Sequence, residues 1–275
     1  MAVTLEDIKH LRKMSGAGMM DCKNALIEAE DDFEKAMEII RKKGKAVAAK
    51  RSDREASEGC VLAADKGEFA AIVALNCETD FVAKNADFVA LTQEILDKVF
   101  EVKPATKEEL LALPLADGRS VSDHIVDRIG VTGEKMELSS YEFVKGEATI
   151  SYMHPGNKLA SIVAFNKASI EHQMARDIAM QVAAMNPVSV LPSEVPQHVI
   201  DQELEIARDK AREAGKPENL LDRIAQGSLA KYYKENTLLQ QAFVKDEKIS
   251  IEQYLHSADK ELTATSFKRV TLNVD

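Results

Sequence analysis

The chain has 275 residues, of which 45% are hydrophobic and 30% are charged, and this composition is typical of a folded protein with ordinary hydrophobic cores. Its formal net charge of −10 disfavours nonspecific attraction to nucleic acid, so we expect the main partner to be a protein. The sequence has no apolar run near the roughly 20 residues that a membrane span needs, and its start lacks the basic and apolar segments of a signal peptide, so we expect a cytoplasmic protein.

The first part of the chain is predicted to form three short amphipathic helices. Each carries apolar residues three or four positions apart, as the buried face of a helix requires. Three helices with about 40 residues in total lie near the lower size limit for independent folding, which indicates a small docking module at residues 1–44. The apolar positions are Leu5, Ile8, Leu11, Cys22, Ala25, Leu26, Ala29, Phe33, Ala36, Met37 and Ile40.

Capping signals mark the ends of these helices. Thr4 and Asp7 form a variant of the capping box before the first helix. The third helix is expected to be capped by Asp31 and Glu34 and to stop at residues 41–44, because three basic residues and a glycine suit a helix C-terminus.

The turn before the second helix carries Met19 and Met20. Methionine is an adaptable apolar residue that is often used at binding surfaces, so an exposed pair here would favour partner contact. The alternative, in which both side chains fill the core of the small module, is left open.

Residues 45–58 lack a usable apolar face and are predicted to form a linker or a partly helical tether. Several basic residues in this stretch could contact RNA, but three acidic residues dilute their charge, so a solvated connector is the preferred interpretation. The basic residues are Lys45, Lys50, Arg51 and Arg54.

A first core subdomain is predicted at residues 59–140, where the pattern changes to strands. Residues 61–63 and 69–75 flank a turn at residues 65–67 and predict a β-hairpin. An amphipathic helix follows, and its apolar face carries Phe88, Leu91, Thr92, Ile95 and Val99.

The hook segment, residues 79–85, lies between that hairpin and that helix. Thr79 or Asp80 is expected to cap the helix that begins here, since both side chains accept hydrogen bonds from first-turn N–H groups. Such a cap would turn Phe81 outward at the sheet edge beside a carboxylate. An outward phenylalanine is a group that a partner protein can bind.

An internal repeat relates residues 69–76 to residues 159–166, because both are apolar strands that end in asparagine. Each is preceded by a strand and followed by an amphipathic helix, which implies two halves with mostly antiparallel sheets covered by helices. Between the strand and the helix, the first copy has extra residues that include residues 79–81. The second half is predicted as a core subdomain at residues 141–275, and its helix carries Ile170, Met174, Ile178 and Val182.

The remaining elements follow from caps, breakers and alternation. Further helices are predicted after Thr106 with Glu109, over residues 121–129 up to Gly130, and after Ser250 with Gln253. Strands are predicted at residues 134–138, 141–144, 148–153 and 266–274, the last with Val270, Leu272 and Val274. A charged helical hairpin that turns at Gly215 is expected as an insertion at about residues 187–230. The predicted fold class is α+β, with an N-terminal three-helix module, a two-part core and a projecting helical hairpin.

The sequence lacks the signatures of an enzyme. It contains no Gly-rich phosphate loop and no GxGxxG, GxSxG or HExxH motif, so we expect no nucleotide site and no catalytic residues. Cys22, Cys60 and Cys77 have no CxxC spacing, and we expect buried free thiols without a metal site or another cofactor. The alternative is an oxidisable Cys60–Cys77 pair across the first hairpin.

Among the six histidines, His154 is distinctive because it lies in a predicted turn between two strands of the second half. A residue at such a hairpin tip could contact a partner, although a plain turn is the simpler reading. The other histidines are scattered over different elements, without the spacing of metal ligands.

Four motifs together resemble the bacterial elongation factor Ts family. They are TDFVAKN at residues 79–85, SGAGMMDCK at residues 15–23, IAMQVAA at residues 178–184 and GKP at residues 215–217. The resemblance spans nearly the whole chain. It implies a three-helix module similar to ubiquitin-associated domains, a two-part α+β core and a projecting helical hairpin. It also implies guanine-nucleotide exchange on elongation factor Tu, the GTPase that carries aminoacyl-tRNA.

The resemblance also implies which residues bind the partner. The residues that would enter the partner's nucleotide domain and disturb its magnesium site are Thr79, Asp80, Phe81 and Val82. Secondary contacts would come from Arg12, Met19, Met20 and His154. No direct binding of nucleotide, nucleic acid or membrane is expected, and a homodimer or a 2:2 complex is left open. Some family members continue into a C-terminal helix that docks on the partner, so we expect that part of the interface to differ here.

Three other functions are weighed against exchange. In the first, the N-terminal module is the binding site of a non-catalytic adaptor and the core is a passive platform. In the second, the basic linker binds RNA with an affinity that falls steeply with salt. In the third, a cysteine is the centre of a thiol enzyme.

Overall fold

The computed structural model describes residues 3–272 and confirms the predicted α+β class. These residues fall into two compact units. The first comprises residues 3–62, residues 73–141 and Leu272, and the second comprises residues 63–72 and 142–271. The boundaries of the predicted docking module, linker and two core subdomains stay a prediction.

Runs of helices and runs of strands follow one another along the described chain. The helices are α1 (Leu5–Ser15), α2 (Met19–Glu28), α3 (Phe33–Arg51), α4 (Asp80–Ala83), α5 (Ala86–Val102), α6 (Lys107–Ala112), α7 (Val121–Thr132), α8 (His172–Met185), α9 (Gln197–Glu213), α10 (Glu218–Asn236) and α11 (Ile251–His256). A 3-10 turn covers Pro192–Glu194. The strands are β1 (Glu58–Lys66), β2 (Phe69–Cys77), β3 (Met136–Lys145), β4 (Ala148–Met153), β5 (Leu159–Phe165), β6 (Ala242–Phe243), β7 (Asp246–Ser250) and β8 (Ala264–Thr271). Within the described part of the chain, no helix is long and apolar enough to cross a bilayer.

Helices α1, α2 and α3 enclose the small apolar core that the sequence predicts. The capping box of Thr4 and Asp7 is confirmed, because the Asp7 amide donates to Thr4 Oγ1 and the Thr4 amide donates to the Asp7 carboxylate. The predicted cap of α3 is wrong by one residue. Asp32 is the N-cap and accepts from the amides of Glu34 and Lys35, whereas Asp31 has a left-handed backbone with φ of 66°.

Two glycines that the sequence predicts as helix ends lie inside helices. Helix α3 does not stop at residues 41–44 but continues to Arg51, and α7 does not end at Gly130 but continues to Thr132. Gly44 and Gly130 face each other, since a Cβ added to Gly130 would lie 2.7 Å from the Gly44 Cα. The glycines therefore allow a close helix crossing. Residues 45–51, the first part of the predicted linker, belong to α3.

Two three-stranded sheets place the repeated strands at their centres. The strand order is β1-β2-β3 in one sheet and β4-β5-β8 in the other, so β2 and β5 both have neighbours on two sides. Strand β5 pairs antiparallel with both β4 and β8. The predicted strand, strand, helix plan of both copies is confirmed, and the first hairpin turns at Gly67 with φ of 61°.

The predicted apolar faces of the two repeat helices are buried. All five predicted positions of α5 are buried. In α8, Met174, Ile178 and Val182 pack with strand residues such as Val163 in the core of the second unit. Ile170 precedes α8 and packs against this core from its edge.

Strand β3 corrects a prediction of two separate strands at residues 134–138 and 141–144. Two serines interrupt the apolar pattern there, but Ser139 Oγ donates to the Ala74 carbonyl at 3.2 Å and to Asn76 Oδ1 at 2.6 Å. Hydrogen bonds to β2 thus carry the strand through the polar positions.

The predicted helical hairpin is formed by α9 and α10, which meet through Ala207, Ala211, Leu221, Ala225 and Leu229. Gly215 turns the chain between them with φ of 70°. The predicted cap of Ser250 and Gln253 is confirmed at α11. The final strand ends at Thr271 with Val270 buried, and the predicted position Val274 lies outside the described residues.

Candidate functional site

The hook segment folds as one short helix, α4, followed directly by α5. Thr79 is the N-cap of α4, and its Oγ1 accepts from the Val82 amide at 3.4 Å. The prediction of Thr79 as a cap is confirmed for α4, but α5 is a separate helix with Asn85 as its N-cap. The segment therefore contains two short-range caps where the sequence indicates one.

Phe81 points outward, as the sequence predicts. Its exposed fraction is 84%, the highest among the exposed large apolar residues of the described chain. Val82 is half-buried and Ala83 is buried, so the next turn of the chain anchors α4 to its own unit. The ring is thus carried on an anchored helix rather than on a free loop.

Asp80 forms an ion pair with Lys84, one turn further along, at 2.6 Å. The hydrogen bond from Lys84 to this carboxylate raises the pKa of Lys84 above its usual value. Because both side chains are exposed, the pair is weak and can exchange partners. A cation on a bound protein would compete with Lys84 for Asp80.

Glu134 holds the start of the hook segment through two hydrogen bonds. The Thr79 amide donates to Glu134 Oε2 at 3.1 Å, and Thr79 Oγ1 donates to Glu134 Oε1 at 2.7 Å. The chain reaches Glu134 directly after α7, and the Glu134 amide itself donates to Thr132 Oγ1 at 3.2 Å. The sequence analysis missed this residue, since no local pattern pairs positions 55 residues apart.

Glu78 makes a second set of contacts just before the hook segment. One of its carboxylate oxygens accepts from the Lys135 amide at 2.7 Å, and the carboxylate pairs with Arg51 Nη1 at 3.4 Å. Lys135 Nζ donates to the Arg54 carbonyl at 2.9 Å. Arg51 is the last residue of α3, so the segment predicted as a linker reaches the base of the hook segment.

Cys77 ends strand β2 beside the hook segment, and its Sγ donates to the Thr79 carbonyl at 3.2 Å. Burial, together with the negative charge of Glu134, raises the pKa of Cys77 to about 12. A thiol with this pKa is a poor nucleophile at neutral pH, which argues against Cys77 as the centre of a thiol enzyme. The predicted buried free thiols are confirmed for all three cysteines.

The predicted secondary residues lie on other elements. Arg12 is exposed on α1, and Met20 is 65% exposed at the start of α2, whereas Met19 is half-buried against the core of the three helices. Met20 therefore fits the prediction of an exposed binding residue, and Met19 fits the alternative of a core residue. His154 belongs to the second unit, where it is exposed after β4 and its Nδ1 lies 3.1 Å from the Tyr152 hydroxyl.

The site consists of side chains that can contact another protein. It combines an exposed aromatic ring, an exposed ion pair and two carboxylates that hydrogen-bond to the backbone. Among residues 3–272, no three His, Cys, Asp or Glu side chains are grouped so that they could hold a metal ion.

Comparison with known proteins gives a consistent set of similarities. A family model described as Elongation factor TS matches residues 78–273. Elongation factor Ts of Porphyromonas gingivalis strain W83 is 76% identical over 275 residues, with 100% of both chains covered. Elongation factor Ts of Azobacteroides pseudotrichonymphae is 55% identical over 275 residues, again with 100% of both chains covered. The protein of the same name from Bacteroides thetaiotaomicron is 44% identical over 332 aligned positions, with 100% of both chains covered.

Proposed function

Because this chain belongs to the elongation factor Ts family, we propose that it is a guanine-nucleotide exchange factor for elongation factor Tu in protein synthesis. It binds the GDP form, disturbs the magnesium site of the partner and promotes GDP release, so that GTP can load. The observation that carries this proposal is the exposure of Phe81 on a helix that its own unit holds in place.

Exchange of this kind requires coupling between two binding events and no catalytic group. If binding of the factor weakens the affinity of the partner for GDP, then GDP weakens binding of the factor by the same ratio. The contacts of the hook segment must therefore be better when the metal-holding segments of the partner have moved. Phe81 would act as a wedge that fits only the moved state.

The magnitudes are compatible with this mechanism. A thousandfold weakening of GDP binding needs about 4 kcal/mol, at about 1.4 kcal/mol per factor of ten. Burial of a phenylalanine side chain contributes about 1.5–3 kcal/mol. A charge-assisted hydrogen bond of Asp80 contributes about 1.5–3 kcal/mol, reduced by the loss of its exposed pair with Lys84.

Contacts outside the pair Asp80 and Phe81 would supply docking affinity. We propose that the partner-binding residues of this class are Thr79, Val82, Arg12, Met19, Met20 and His154. Met20 and Arg12 are exposed in the predicted docking module of residues 1–44, and His154 is exposed at a hairpin turn of the second unit. The factor itself needs no cofactor or nucleotide, and we propose that it acts in the cytoplasm.

The direct test is release of a fluorescent GDP from elongation factor Tu, measured with and without this chain. Phe81→Ala should slow the stimulated release of GDP about tenfold or more, because the wedge contact is lost. The fold should stay intact, because the ring is 84% exposed. Val102→Ala is the matched control, since it shortens a side chain that is 50% exposed at the end of α5. Equal release rates for wild type and Phe81→Ala would refute the wedge.

The second candidate is a non-catalytic adaptor that binds through the three-helix module, and the exposed Met20 favours it. It predicts that Met20→Asp abolishes binding to the partner while Phe81→Ala changes neither binding nor GDP release. The exchange mechanism predicts instead that Phe81→Ala lowers the rate of GDP release more than Met20→Asp does.

A further inference from the structure

We propose that Glu134 is a positioning residue for Phe81, and that the Glu78–Arg51 pair is a second support that ties the hook segment to the end of α3. The proposal rests on the proposed function and deepens it, because it says what keeps the wedge in its working orientation. It involves the first compact unit only.

The short length of α4 makes outside support necessary. A four-residue helix closes barely one turn, and a single turn fixes several backbone dihedrals for very few hydrogen bonds. Its own contacts are the Thr79 cap and the amides of Ala83 and Lys84, which donate to the carbonyls of Thr79 and Asp80 at 3.1 Å. Such a turn would fray in isolation and would let Phe81 sample many directions.

The Glu134 carboxylate supplies this support at the residue where α4 begins. Both of its oxygens are used on one residue, the Thr79 amide at 3.1 Å and the Thr79 hydroxyl at 2.7 Å. The first bond fixes the backbone before α4, and the second fixes the rotamer with which Thr79 caps it. Hydrogen bonds to a charged acceptor are stronger than neutral ones, so the cap is held more firmly than an ordinary threonine cap.

Glu78, the residue before the hook segment, gives the second support through its contacts with Lys135 and Arg51. Its carboxylate receives the Lys135 amide at 2.7 Å and the Arg51 guanidinium at 3.4 Å. The Glu78 side chain is largely buried, with 17% of its area exposed, so solvent screens this pair less than a surface pair. The Arg51 contact is the longer one and should contribute less than Glu134.

The two supports come from helices that are locked to each other. Arg51 ends α3, and Glu134 follows α7 after the left-handed Gly133. The close approach of Gly44 in α3 and Gly130 in α7 fixes the crossing of these helices. Both supports of Phe81 thus lie at the ends of one closely packed helix pair. Rigidity of this pair preserves binding free energy that the ordering of a loose loop would consume.

The matched variants are Glu134→Gln and, as control, Glu101→Gln. An amide at position 134 keeps one oxygen to accept from the Thr79 amide, whereas its NH₂ group can only donate to Thr79 Oγ1. Both charge-assisted bonds are therefore replaced by weaker neutral ones, and the bond to the hydroxyl is reversed. Glu101 is a carboxylate on the exposed end of α5, paired with Lys98. Glu134→Gln should lower the maximal rate of GDP release about 3- to 10-fold with little change in the half-saturating concentration, and Glu101→Gln should change neither.

A double-mutant cycle separates positioning from direct contact. In the Phe81→Ala background, Glu134→Gln should slow GDP release by less than about twofold further, because the residue acts through Phe81. Arg51→Gln should lower the maximal rate about 2- to 3-fold in the wild-type background and should also lose its effect when Phe81 is absent. Full additivity in the cycle would overturn the proposal, since Glu134 would then act by a contact of its own.

A readout without the partner keeps this test independent of the exchange activity. The chain contains no tryptophan, so Phe81→Trp creates a single fluorescent reporter at the tip of the hook segment. Glu134→Gln should increase the fast, nanosecond part of the Trp anisotropy decay, and Glu101→Gln should leave it unchanged. Identical decays would overturn the positioning role whatever the release rates are. If the wild-type chain did not stimulate GDP release from elongation factor Tu, the proposed function would be overturned. The anisotropy decay would still show whether Glu134 positions residue 81.

Discussion

The two copies of the internal repeat share a frame of two strands and a helix, and they differ in the joint, which is the connection between the second strand and the helix. In the first copy, residues 78–85 connect β2 to α5 and contain α4 with the exposed Phe81. In the second copy, residues 166–171 connect β5 to α8 without a helix of their own. Each copy has an asparagine at the end of its central strand, Asn76 as the second-last residue of β2 and Asn166 directly after β5. Each copy also caps the following helix with a side chain, Asn85 in one and Glu171 in the other.

The asparagines do the same work in both copies. Asn76 Nδ2 donates to the Ala56 carbonyl at 2.8 Å and its Oδ1 accepts from Ser139 Oγ at 2.6 Å. Asn166 Nδ2 donates to the Glu261 carbonyl at 2.7 Å, and its Oδ1 accepts from the Thr263 amide at 2.9 Å. Both central strands thus have, near their last residue, an asparagine amide that is hydrogen-bonded on two sides. This arrangement is the same in both copies, whatever the following connection carries.

The difference between the joints shows how a binding element can be added to a stable frame. The second joint turns inward, with Lys167 paired to Asp259 at 2.6 Å and Ile170 packed on the core. The first joint turns Phe81 to solvent and recruits Glu134 to hold its cap. A display of this kind needs support from outside the repeat, because an exposed ring contributes no burial of its own to hold the segment.

Replacing the first joint by the second should have the largest effect on stimulated GDP release. Replacing residues 78–85 by the sequence of residues 166–171 removes Phe81 and Asp80, together with the two residues through which the segment is supported, Glu78 and Thr79. Glu171 of the inserted sequence supplies an acceptor to cap α5. Stimulated GDP release should fall about 100-fold or more, since about 2.7 kcal/mol of wedge contacts would be lost. Far-ultraviolet circular dichroism should remain near wild type.

The matched control for this chimera is Lys167→Ala in the second joint, which breaks the pair with Asp259 and should change release by less than twofold. A chimera that keeps more than a tenth of the wild-type release rate would show that the exchange activity lies outside the first joint.

The close crossing of α3 and α7 at Gly44 and Gly130 should be destabilised by a single added methyl group. Gly130→Ala places a Cβ 2.7 Å from the Gly44 Cα, and no rotamer change can relieve this contact of the methyl group with backbone. The free energy of unfolding should fall by about 2–3 kcal/mol in urea titrations, as expected for overpacking at a close helix crossing.

Gly227→Ala is the control, because Gly227 also lies inside a helix but has open space around the added methyl. It should raise stability by up to about 1 kcal/mol through helix propensity. Equal effects of the two alanine variants would mean that the crossing of α3 and α7 is not close in solution.

The second copy should respond to loss of a buried carboxylate. Asp177 in α8 is 5% exposed and accepts from Lys245 Nζ at 2.7 Å, Gln173 Nε2 at 2.7 Å and the Tyr254 hydroxyl at 3.1 Å. Burial would raise the pKa of Asp177, but these hydrogen bonds outweigh burial and hold the pKa below its usual value of 3.8. Asp177→Asn should lower the free energy of unfolding by about 1–2 kcal/mol at pH 7.

The pH dependence gives the sign of this effect. Because the pKa of Asp177 is lower in the folded chain, its stabilisation is complete above pH 3.8 and is lost as the pH falls through the lowered value. The difference between wild type and Asp177→Asn should therefore shrink below about pH 3.8. A difference that stays constant down to pH 2 would contradict an ionised, hydrogen-bonded Asp177.

Cys77 should give the smallest effect, although it adjoins the hook segment. With a pKa of about 12, only about one thiol in ten thousand is ionised at pH 8. Modification of Cys77 by a thiol reagent, mapped by mass spectrometry, should be at least about 100-fold slower in the folded chain than in urea. Rapid native labelling with loss of exchange would instead revive the thiol hypothesis.

The sequence by itself determined the features that depend on neighbours within one or two turns. Thr4 with Asp7 and Ser250 with Gln253 are caps three residues apart, and their hydrogen bonds form as the sequence predicts. Thr79, one of the two cap candidates of the hook segment, caps α4 through the Val82 amide. The buried faces of α5 and α8 and the outward Phe81 follow in the same way. Periodicity and capping act through local backbone geometry, so the order of residues is sufficient.

Only the tertiary structure decided what the long-range partners do. Glycine has the same local preferences whether it ends a helix or admits a second helix, so the roles of Gly44 and Gly130 depend on their mutual approach. Glu134 and Thr79 are 55 residues apart, and Arg51 and Glu78 are 27 apart. A carboxylate far along the chain has no local signal for the backbone it will support, because these groups meet only through the pairing of β2 with β3 and the packing of α3 against α7.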